Sequence, residues 1–171
     1  MILQSERLYY REFTAADDVL LFQLDSNPEV HRYLGNNPVT HIDQVREYLA
    51  SVIDQYAANS IGRMAAFLKE TDEFIGWGGL KLESNVNGHD RFYDIGYRLL
   101  PQFWGRGYAT ESAKFFISYG FNQLNISVIN ATALRANSAS CNALIKSGLR
   151  EIETFDYKGE EAVWFEIIRQ Y

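Results

Sequence analysis

The sequence predicts a mixed α/β domain built on one mostly antiparallel sheet. Its 171 residues are 47% hydrophobic and 22% charged, which is typical of an ordinary globular chain that one hydrophobic core can serve. Consecutive strand-like segments joined by short polar turns favour antiparallel pairing. A strand–helix–strand unit across residues 92–134 is instead a crossover, which places its two strands parallel. We therefore expect a single domain, residues 1–171, with one parallel pair in its sheet.

The chain begins with a predicted strand and a short helix. Residues 8–13 are rich in aromatic side chains, which favour a strand. Thr14 and Asp17 have the spacing of a capping box at the start of a helix. Asn27-Pro28 ends that helix, because proline cannot continue it.

A longer helix is predicted to follow. Thr40 and Asp43 repeat the capping spacing, and the helix runs to about Asn59. Apolar side chains recur there at helical intervals, as expected for one buried face. They are Val45, Leu49, Val52, Ile53 and Tyr56.

The remaining chain predicts six strands and two helices, which makes about seven strands and four helices in all. Three strands come first, separated by the polar turns 70–73 and 84–90. Gly148 ends the last helix as its C′ residue, and a final hairpin turns at Lys158-Gly159. The strands are expected at 64–69, 74–82, 92–100, 126–134, 149–157 and 161–168, and the helices at 109–121 and 138–146.

The charge and the cysteine content exclude several classes of function and of site. The formal net charge of -6 disfavours a general nucleic-acid binder. The single cysteine, Cys141, excludes an intramolecular disulfide and a CxxC metal site. The histidines lack metal-ligand spacing, so no metal is expected. No apolar run approaches the ~18 residues that span a bilayer, and the N-terminus does not resemble a signal peptide. We expect a cytoplasmic protein with no membrane partner.

A glycine turn between the strand 92–100 and the helix 109–121 is the strongest candidate site. Gly105 and Gly107 permit positive φ and close backbone approach. Successive amides of the turn and of the helix start could then point at one spot, aided by the helix dipole. Such a site suits a phosphate or pyrophosphate. The alternative is a turn that only caps a helix, and the sequence matches neither a Walker A loop nor GxGxxG.

Asn137 and Ser140 form a second candidate site, after the strand 126–134 and on the first turn of the next helix. An amide and a hydroxyl there could both face a ligand in the crevice expected where the sheet changes its pairing. The alternative is that Asn137 only caps the helix and Ser140 has no role.

With these motifs in this order, the chain resembles the GNAT superfamily of acetyl-CoA-dependent N-acetyltransferases. Within it, the chain is most similar to the ribosomal-protein-alanine N-acetyltransferase (RimJ/RimL-like) group. The resemblance covers nearly the whole chain. The matching segments are Ser5-Glu6-Arg7-Leu8 with Arg11, the strand Asp94–Leu99, Gln102–Gly107 with the acetyl-CoA signature Q/R-x-x-G-x-G/A, and Asn137, Ser140, Lys146 and Gly148 with N-x-x-S…K-x-G.

The resemblance implies the GNAT fold, with a sheet that splays between its parallel strands, and a role for each matching residue. The backbone of the glycine turn would hold the pyrophosphate of acetyl-CoA, and the pantetheine arm would run along the central strand. A backbone N–H of that strand would polarise the thioester carbonyl. Asn137 would bond the cofactor arm, and Ser140 would protonate or stabilise the departing thiolate. The implied cofactor-binding residues are Tyr97, Arg98, Leu99, Trp104, Gly105, Arg106, Gly107, Tyr108, Ala109, Thr110, Asn137 and Ser140.

One position departs from the superfamily pattern. Many members carry a tyrosine general acid on the last helix, where this chain has Leu144. Leucine cannot donate a proton, so the acid role shifts to Ser140 or to solvent.

An amine acceptor must be neutral when it attacks. An alkyl ammonium with a pKa of about 10 needs help to lose its proton, and an α-amine with a pKa of about 8 needs less. A carboxylate acting directly or through water is the usual base. Asp94 is the first candidate, with Glu83 and Glu12 behind it. The alternative is that each is an ordinary exposed charge.

The expected activity is direct acetyl transfer from acetyl-CoA to a primary amine, and the resemblance makes a protein N-terminus the leading acceptor. The alternative acceptor is a small-molecule amine, such as a polyamine, an amino acid or an aminoglycoside. The alternative function is an acetyl-CoA-binding sensor without catalysis, which the absence of a general acid at Leu144 favours. Homodimers are common in this branch, and the C-terminal hairpin offers an edge for one.

Overall fold

The computed structural model describes residues 1–170, and its elements follow the predicted order with one strand added at the start. The strands are β1 (Ile2–Gln4), β2 (Leu8–Glu12), β3 (Met64–Leu68), β4 (Phe74–Glu83), β5 (Phe92–Leu99), β6 (Val128–Leu134), β7 (Arg150–Tyr157) and β8 (Glu160–Ile168). The helices are α1 (Asp18–Asp25), α2 (Ile42–Asn59), α3 (Tyr108–Asn122) and α4 (Ser138–Lys146).

The strands form one sheet in the order β1-β2-β3-β4-β5-β6-β8-β7. Every neighbouring pair is antiparallel except β5 and β6, which are parallel as predicted. β5 pairs with β4 from Phe92 to Leu99. Across the described residues its register with β6 consists of Asp94 opposite Asn130 alone. The parallel strands therefore diverge beyond this pair, which confirms the expected splay.

The added strand β1 makes the predicted count of seven too low by one. Ile2–Gln4 pairs antiparallel with β2, and the Ser5 N–H donates to the Leu8 carbonyl at 2.9 Å to close the turn between them. A segment of three residues is too short for its hydrophobic pattern to predict a strand. It forms a strand here because it pairs with β2.

Several local predictions are confirmed. Asp17 Oδ2 accepts from the Thr14 N–H at 2.7 Å, as a capping box requires, although a 3₁₀ turn precedes α1. Gly148 ends α4 with a φ of +101°, and Lys158 and Gly159 turn the last hairpin with φ of +54° and +87°. Each of these depends on residues a few positions apart.

The predicted start of α2 is wrong by one residue. His41 is the N-cap, because the longer Gln44 side chain accepts from the backbone N–H groups of Thr40 at 2.9 Å and His41 at 3.1 Å. Asp43, the expected partner of Thr40, instead accepts from Arg46 at 3.0 Å.

Helices cover both faces of the sheet. A Cβ on Gly78 would lie 2.1 Å from Ser112 Oγ of α3, so this close approach requires glycine. The adjacent Trp77 ring lies under the guanidinium of Arg98, which binds Asp25 of α1. Successive strand residues face opposite ways, so α3 and α1 pack on opposite faces; α4 packs beside α3. Within residues 1–170, we find no helix whose length and apolar content would let it cross a bilayer.

β7 forms one edge of the sheet, as the C-terminal hairpin predicted. Most of its side chains are exposed. The homodimer that would use this edge stays a prediction.

Candidate active site

The glycine turn joins β5 to α3 and has an exposed, left-handed backbone. The φ angles of Gly105 and Gly107 are +72° and +82°, and Gly107 is the N-cap of α3. The first helical hydrogen bond runs from the Glu111 N–H to the Gly107 carbonyl at 2.9 Å. The amides of residues 108–110 therefore have no acceptor within the helix. Together with the helix dipole they make an anion-binding end.

Space for an anion lies beside this turn. A Cβ built on Gly105 meets nothing within 4 Å. Trp104 holds the turn against β5, because its indole N–H donates to the Leu99 carbonyl at 2.8 Å and its backbone N–H donates to the Pro101 carbonyl at 3.1 Å. Since the Trp104 amide is already engaged, the amides free for a ligand begin at Gly105.

The diverging edge of β5 lies next to the turn. Tyr97, Arg98 and Leu99 pair with β4 along one edge, and their other edge faces the gap that opens towards β6. Unpaired strand edges present N–H and C=O groups to an extended amide-containing ligand. The Leu99 side chain is buried in the core and its carbonyl accepts from the Trp104 indole, so the backbone N–H is what this position offers to such a ligand.

A pair of hydroxyls bridges β5 and α4 at this gap. Tyr97 Oη lies 3.1 Å from Ser140 Oγ, and it donates to the Ser140 carbonyl at 3.1 Å. Burial raises the pKa of Tyr97 to about 12, so the phenol keeps its proton at neutral pH. Leu144, one turn further along α4, is 2% exposed and belongs to the core. The sequence placed Tyr97 along the cofactor arm but did not predict its contact with Ser140, because no local signal joins side chains 43 positions apart.

Asn137 caps α4. Its Oδ1 accepts from the Ser140 N–H at 3.2 Å. The capping role that the sequence suggested for Asn137 is therefore confirmed, and the carboxamide oxygen performs it. The Nδ2 group of the same side chain takes no part in this cap and is left to donate elsewhere.

Asp94 is not an ordinary exposed charge. Its carboxylate forms an ion pair with Arg63, and the side chains are 15% and 7% exposed respectively. Arg63 also donates to the Asp94 carbonyl at 2.9 Å and to the Gly79 carbonyl. Burial raises the pKa of Asp94, although Arg63 and Lys81 act in the opposite direction. The structure therefore gives Asp94 a buried cationic partner that no sequence motif indicated.

The other two candidate bases lie in different places. Glu83 forms an ion pair with Lys81, which sits opposite Asp94 in the β4–β5 register. Glu12 lies on β2, where its carboxylate is 3.9 Å from the N-terminal ammonium of Met1. The structure thus brings Glu83 close to Asp94 and leaves Glu12 apart.

Asp94 and the hydroxyl pair lie on opposite faces of β5. A Cβ on Gly96 would meet the Arg63 guanidinium at 2.7 Å, which places the Arg63–Asp94 pair on the α1 face. Tyr97 instead reaches Ser140 on α4. An acceptor approaching the α1 face and a leaving group on the α4 face would therefore meet at the diverging edge of β5.

A second polar cluster lies on the α1 face. Arg98 Nη1 donates to Asp25 Oδ1 at 2.7 Å, and the guanidinium groups of Arg63 and Arg98 each lie over the Trp77 ring, 5.2 Å from its centroid. His31 Nε2 is 4.0 Å from the same carboxylate oxygen of Asp25. Burial lowers the pKa of His31, with the Arg98 charge adding to the effect.

Comparison with known proteins identifies the family. Residues 7–150 match the family described as an acetyltransferase (GNAT) domain. The chain is 34% identical over 142 residues to the uncharacterized N-acetyltransferase p20 of Bacillus licheniformis, a match that covers 83% of this chain and 78% of p20.

Solved structures share the fold at low sequence identity. RimL, a ribosomal L7/L12 alpha-N-protein acetyltransferase in complex with coenzyme A, superimposes with a TM-score of 0.82 at 17% identity over 98% of both chains. Spermidine N-acetyltransferase of Vibrio cholerae, in complex with CoA and spermine, has a TM-score of 0.75 at 18% identity over 95% of both chains. These matches do not distinguish one branch from another. The chain belongs to the GNAT acetyltransferase family and is an acetyl-CoA-dependent N-acetyltransferase.

Proposed function

We propose that this protein transfers the acetyl group of acetyl-CoA directly to a primary amine, with a protein N-terminal α-amine as the leading acceptor. The observation that carries the proposal is the exposed glycine turn, whose free amides open beside the diverging edge of β5. The motifs that resemble the RimJ/RimL-like group, Ser5-Glu6-Arg7-Leu8 and the strand Asp94–Leu99, make a protein acceptor the leading candidate. A polyamine is the second candidate, because the acidic chain, with its charge of -6, favours a cationic acceptor.

The glycine turn fits the phosphates of this co-substrate. Gly105, Arg106, Gly107 and residues 108–110 would present their amides to the pyrophosphate, and the open space at Gly105 admits it. The free edge at Tyr97–Leu99 and the Nδ2 of Asn137 would bond the amides of the pantetheine arm. Acetyl-CoA supplies an activated thioester when bound.

Transfer within a ternary complex is supported by the state of the one cysteine. Cys141 is buried, its thiol donates to the Leu134 carbonyl at 3.6 Å, and burial raises its pKa. A thiol held protonated is a poor nucleophile. Direct attack by the amine therefore fits this site better than an acyl-cysteine route.

Asp94 is our proposed base, acting directly or through one water. It would take the proton that the amine loses as its nitrogen bonds the acetyl carbon and the carbon–sulfur bond breaks. A raised pKa makes a carboxylate a better proton acceptor near neutral pH. Ser140 Oγ would turn its proton to the departing thiolate, and the Tyr97 hydroxyl, 3.1 Å away, would donate to Ser140 Oγ in exchange. Neither hydroxyl needs to be acidic, because a thiolate is already a good leaving group.

The assignment of acetyl-CoA is tested by thermal unfolding. At about 100 times its Kd, acetyl-CoA should stabilise the fold by about 2.7 kcal/mol and raise Tm by about 5–10 °C. Adenosine should produce no comparable shift, because it lacks the phosphates and the arm. An unchanged Tm at millimolar acetyl-CoA would refute the proposal.

The acceptor is tested by release of free CoA. N-terminal peptides, polyamines, amino acids and aminoglycosides are added separately at equal concentration, and thiol release is followed. We expect the highest kcat/KM with a peptide α-amine. Faster turnover of a polyamine would transfer the assignment to the second candidate, and no release with any amine would argue against catalysis.

The hydroxyl pair gives a further prediction. Ser140→Ala should lower kcat by about tenfold, because one hydrogen bond to a charged leaving group is lost. Tyr97→Phe should lower it less, and the double variant should be no slower than Ser140→Ala if Tyr97 acts through Ser140. Ser118→Ala on the exposed face of α3 is the matched control. Fully additive losses would show that the two hydroxyls act independently.

A further inference from the structure

The turn between β1 and β2 is tied to the first turn of α3. Glu111 Oε1 accepts from the Arg7 N–H at 2.7 Å and from Ser5 Oγ at 2.7 Å. Glu111 Oε2 accepts from Arg7 Nε at 2.7 Å. Both oxygens of this carboxylate are therefore engaged by a segment more than 100 positions away. The Ser5–Arg7 segment is part of a sequence motif to which the proposed reaction assigns no role.

Arg7 also contacts the glycine turn itself. Its Nη1 donates to the Arg106 carbonyl at 3.0 Å, and its guanidinium lies over the Tyr108 ring, 4.4 Å from the centroid. Its Nη2 is 3.4 Å from the position of a Cβ on Gly107. One side chain thus contacts Arg106 and Tyr108, lies beside Gly107 and binds Glu111.

This contact has two consequences for the free amides. The hydrogen bond to Arg7 draws the Arg106 carbonyl towards the guanidinium, which fixes the orientation of the peptide that joins it to Gly107. The Arg7 charge also offsets that of Glu111, which would otherwise stand unpaired beside an anion site. Burial acts to raise the pKa of Glu111, but the hydrogen bonds from Arg7 and Ser5 outweigh it and lower the pKa. Glu111 is therefore ionised at neutral pH.

We propose that Arg7 and Glu111 are positioning residues for the phosphate end of acetyl-CoA, which hold the amides of the glycine turn in their binding orientation. This inference rests on the proposed function, because it assumes that the phosphates lie on this turn. Neither residue is required to touch the acetyl group or the acceptor.

Two variants separate positioning from simple charge. Glu111→Gln removes a negative charge next to a bound polyanion, so electrostatics alone predicts tighter acetyl-CoA binding. If Glu111 positions Arg7 and the turn, binding weakens instead. Arg7→Lys keeps the charge and loses the fork that reaches Glu111 and Arg106 together. We expect each variant to raise the Kd of acetyl-CoA by about 10- to 100-fold.

Acetyl-pantetheine supplies the control ligand, because it carries the thioester arm without the diphosphate. Its Kd, measured by titration alongside acetyl-CoA, should stay at the wild-type value in both variants, which also shows that they are folded. Arg46→Ala, which breaks the ion pairs of Arg46 on α2 with Asp18 of α1 and with Asp43, should change neither Kd. Wild-type acetyl-CoA affinity in Arg7→Lys and Glu111→Gln, or equal weakening of both ligands, would overturn the inference. If the wild-type protein itself binds no acetyl-CoA, the proposed function fails instead.

Discussion

Asp94→Asn should lower kcat by about 100-fold or more while the Kd of acetyl-CoA stays unchanged. General-base catalysis contributes about 10²–10⁴ to a rate, and asparagine has the shape of aspartate without the proton affinity. The measurement is steady-state turnover with the best amine of the acceptor screen, beside an acetyl-CoA titration. Glu83→Gln removes a nearby carboxylate and should leave kcat within a few-fold of the wild-type value.

The pH dependence of kcat/KM in the wild-type enzyme should also show the ionisation of Asp94. Asp94 works as a base only when ionised, so kcat/KM falls as pH drops through its pKa. Burial raises that pKa, which places the acidic limb at a higher pH than an exposed aspartate would give. In Asp94→Asn the limb at this pKa should disappear, and only the pH dependence set by the pKa of the acceptor amine should remain.

Loss of activity in Asp94→Asn has a structural explanation that must be separated from catalysis. The substitution leaves Arg63 buried without its counter-ion, and breaking such a pair costs about 3–5 kcal/mol. A double variant, Arg63→Met with Asp94→Asn, removes both charges and should recover much of the lost stability. If Asp94 is the base, the stable double variant remains inactive. If Asp94 only neutralises Arg63, activity returns with stability.

Gly105→Val should raise the Kd of acetyl-CoA by about 100-fold or more, because several charge-assisted hydrogen bonds to the phosphates depend on this backbone. A β-branched residue at φ +72° is strained, and relief of that strain rotates the neighbouring amides away from their common target. The Cβ would enter the open space that the phosphates need.

Gly88→Val is the matched control for this prediction. Gly88 has a φ of +73° and nothing within 4 Å of its Cβ, so the strain and the free space are the same, in the loop between β4 and β5. Both variants should lose about 1–3 kcal/mol of stability, and only Gly105→Val should lose acetyl-CoA binding. Equal acetyl-CoA affinity in the two variants would place the phosphates elsewhere.

The structure places the predicted site residues as expected along the chain, and it differs from the prediction mainly in their hydrogen-bond and ion-pair partners. The glycine turn, Asn137 and Ser140 lie where the motifs placed them, at the end of β5 and the start of α4. Trp104 was expected to offer its amide, but that amide closes a turn with Pro101. Asp94 was expected to be either the general base or an ordinary exposed charge, and the structure shows its carboxylate paired with Arg63 in the interior.

Patterns along the chain were sufficient to predict the helices, the longer strands, the turns and the position of the glycine motif between β5 and α3. Each of these depends on neighbours within a few positions, where steric limits on the backbone and helix or strand periodicity act directly. The partners of the functional side chains depend on folding. Those of Asp94 and Tyr97 lie 31 and 43 positions away, and that of Arg7 lies 104 positions away. The pairing of the strands into one sheet and the packing of α3 and α4 bring these groups together. Burial then sets their protonation, because desolvation depends on everything packed around a group.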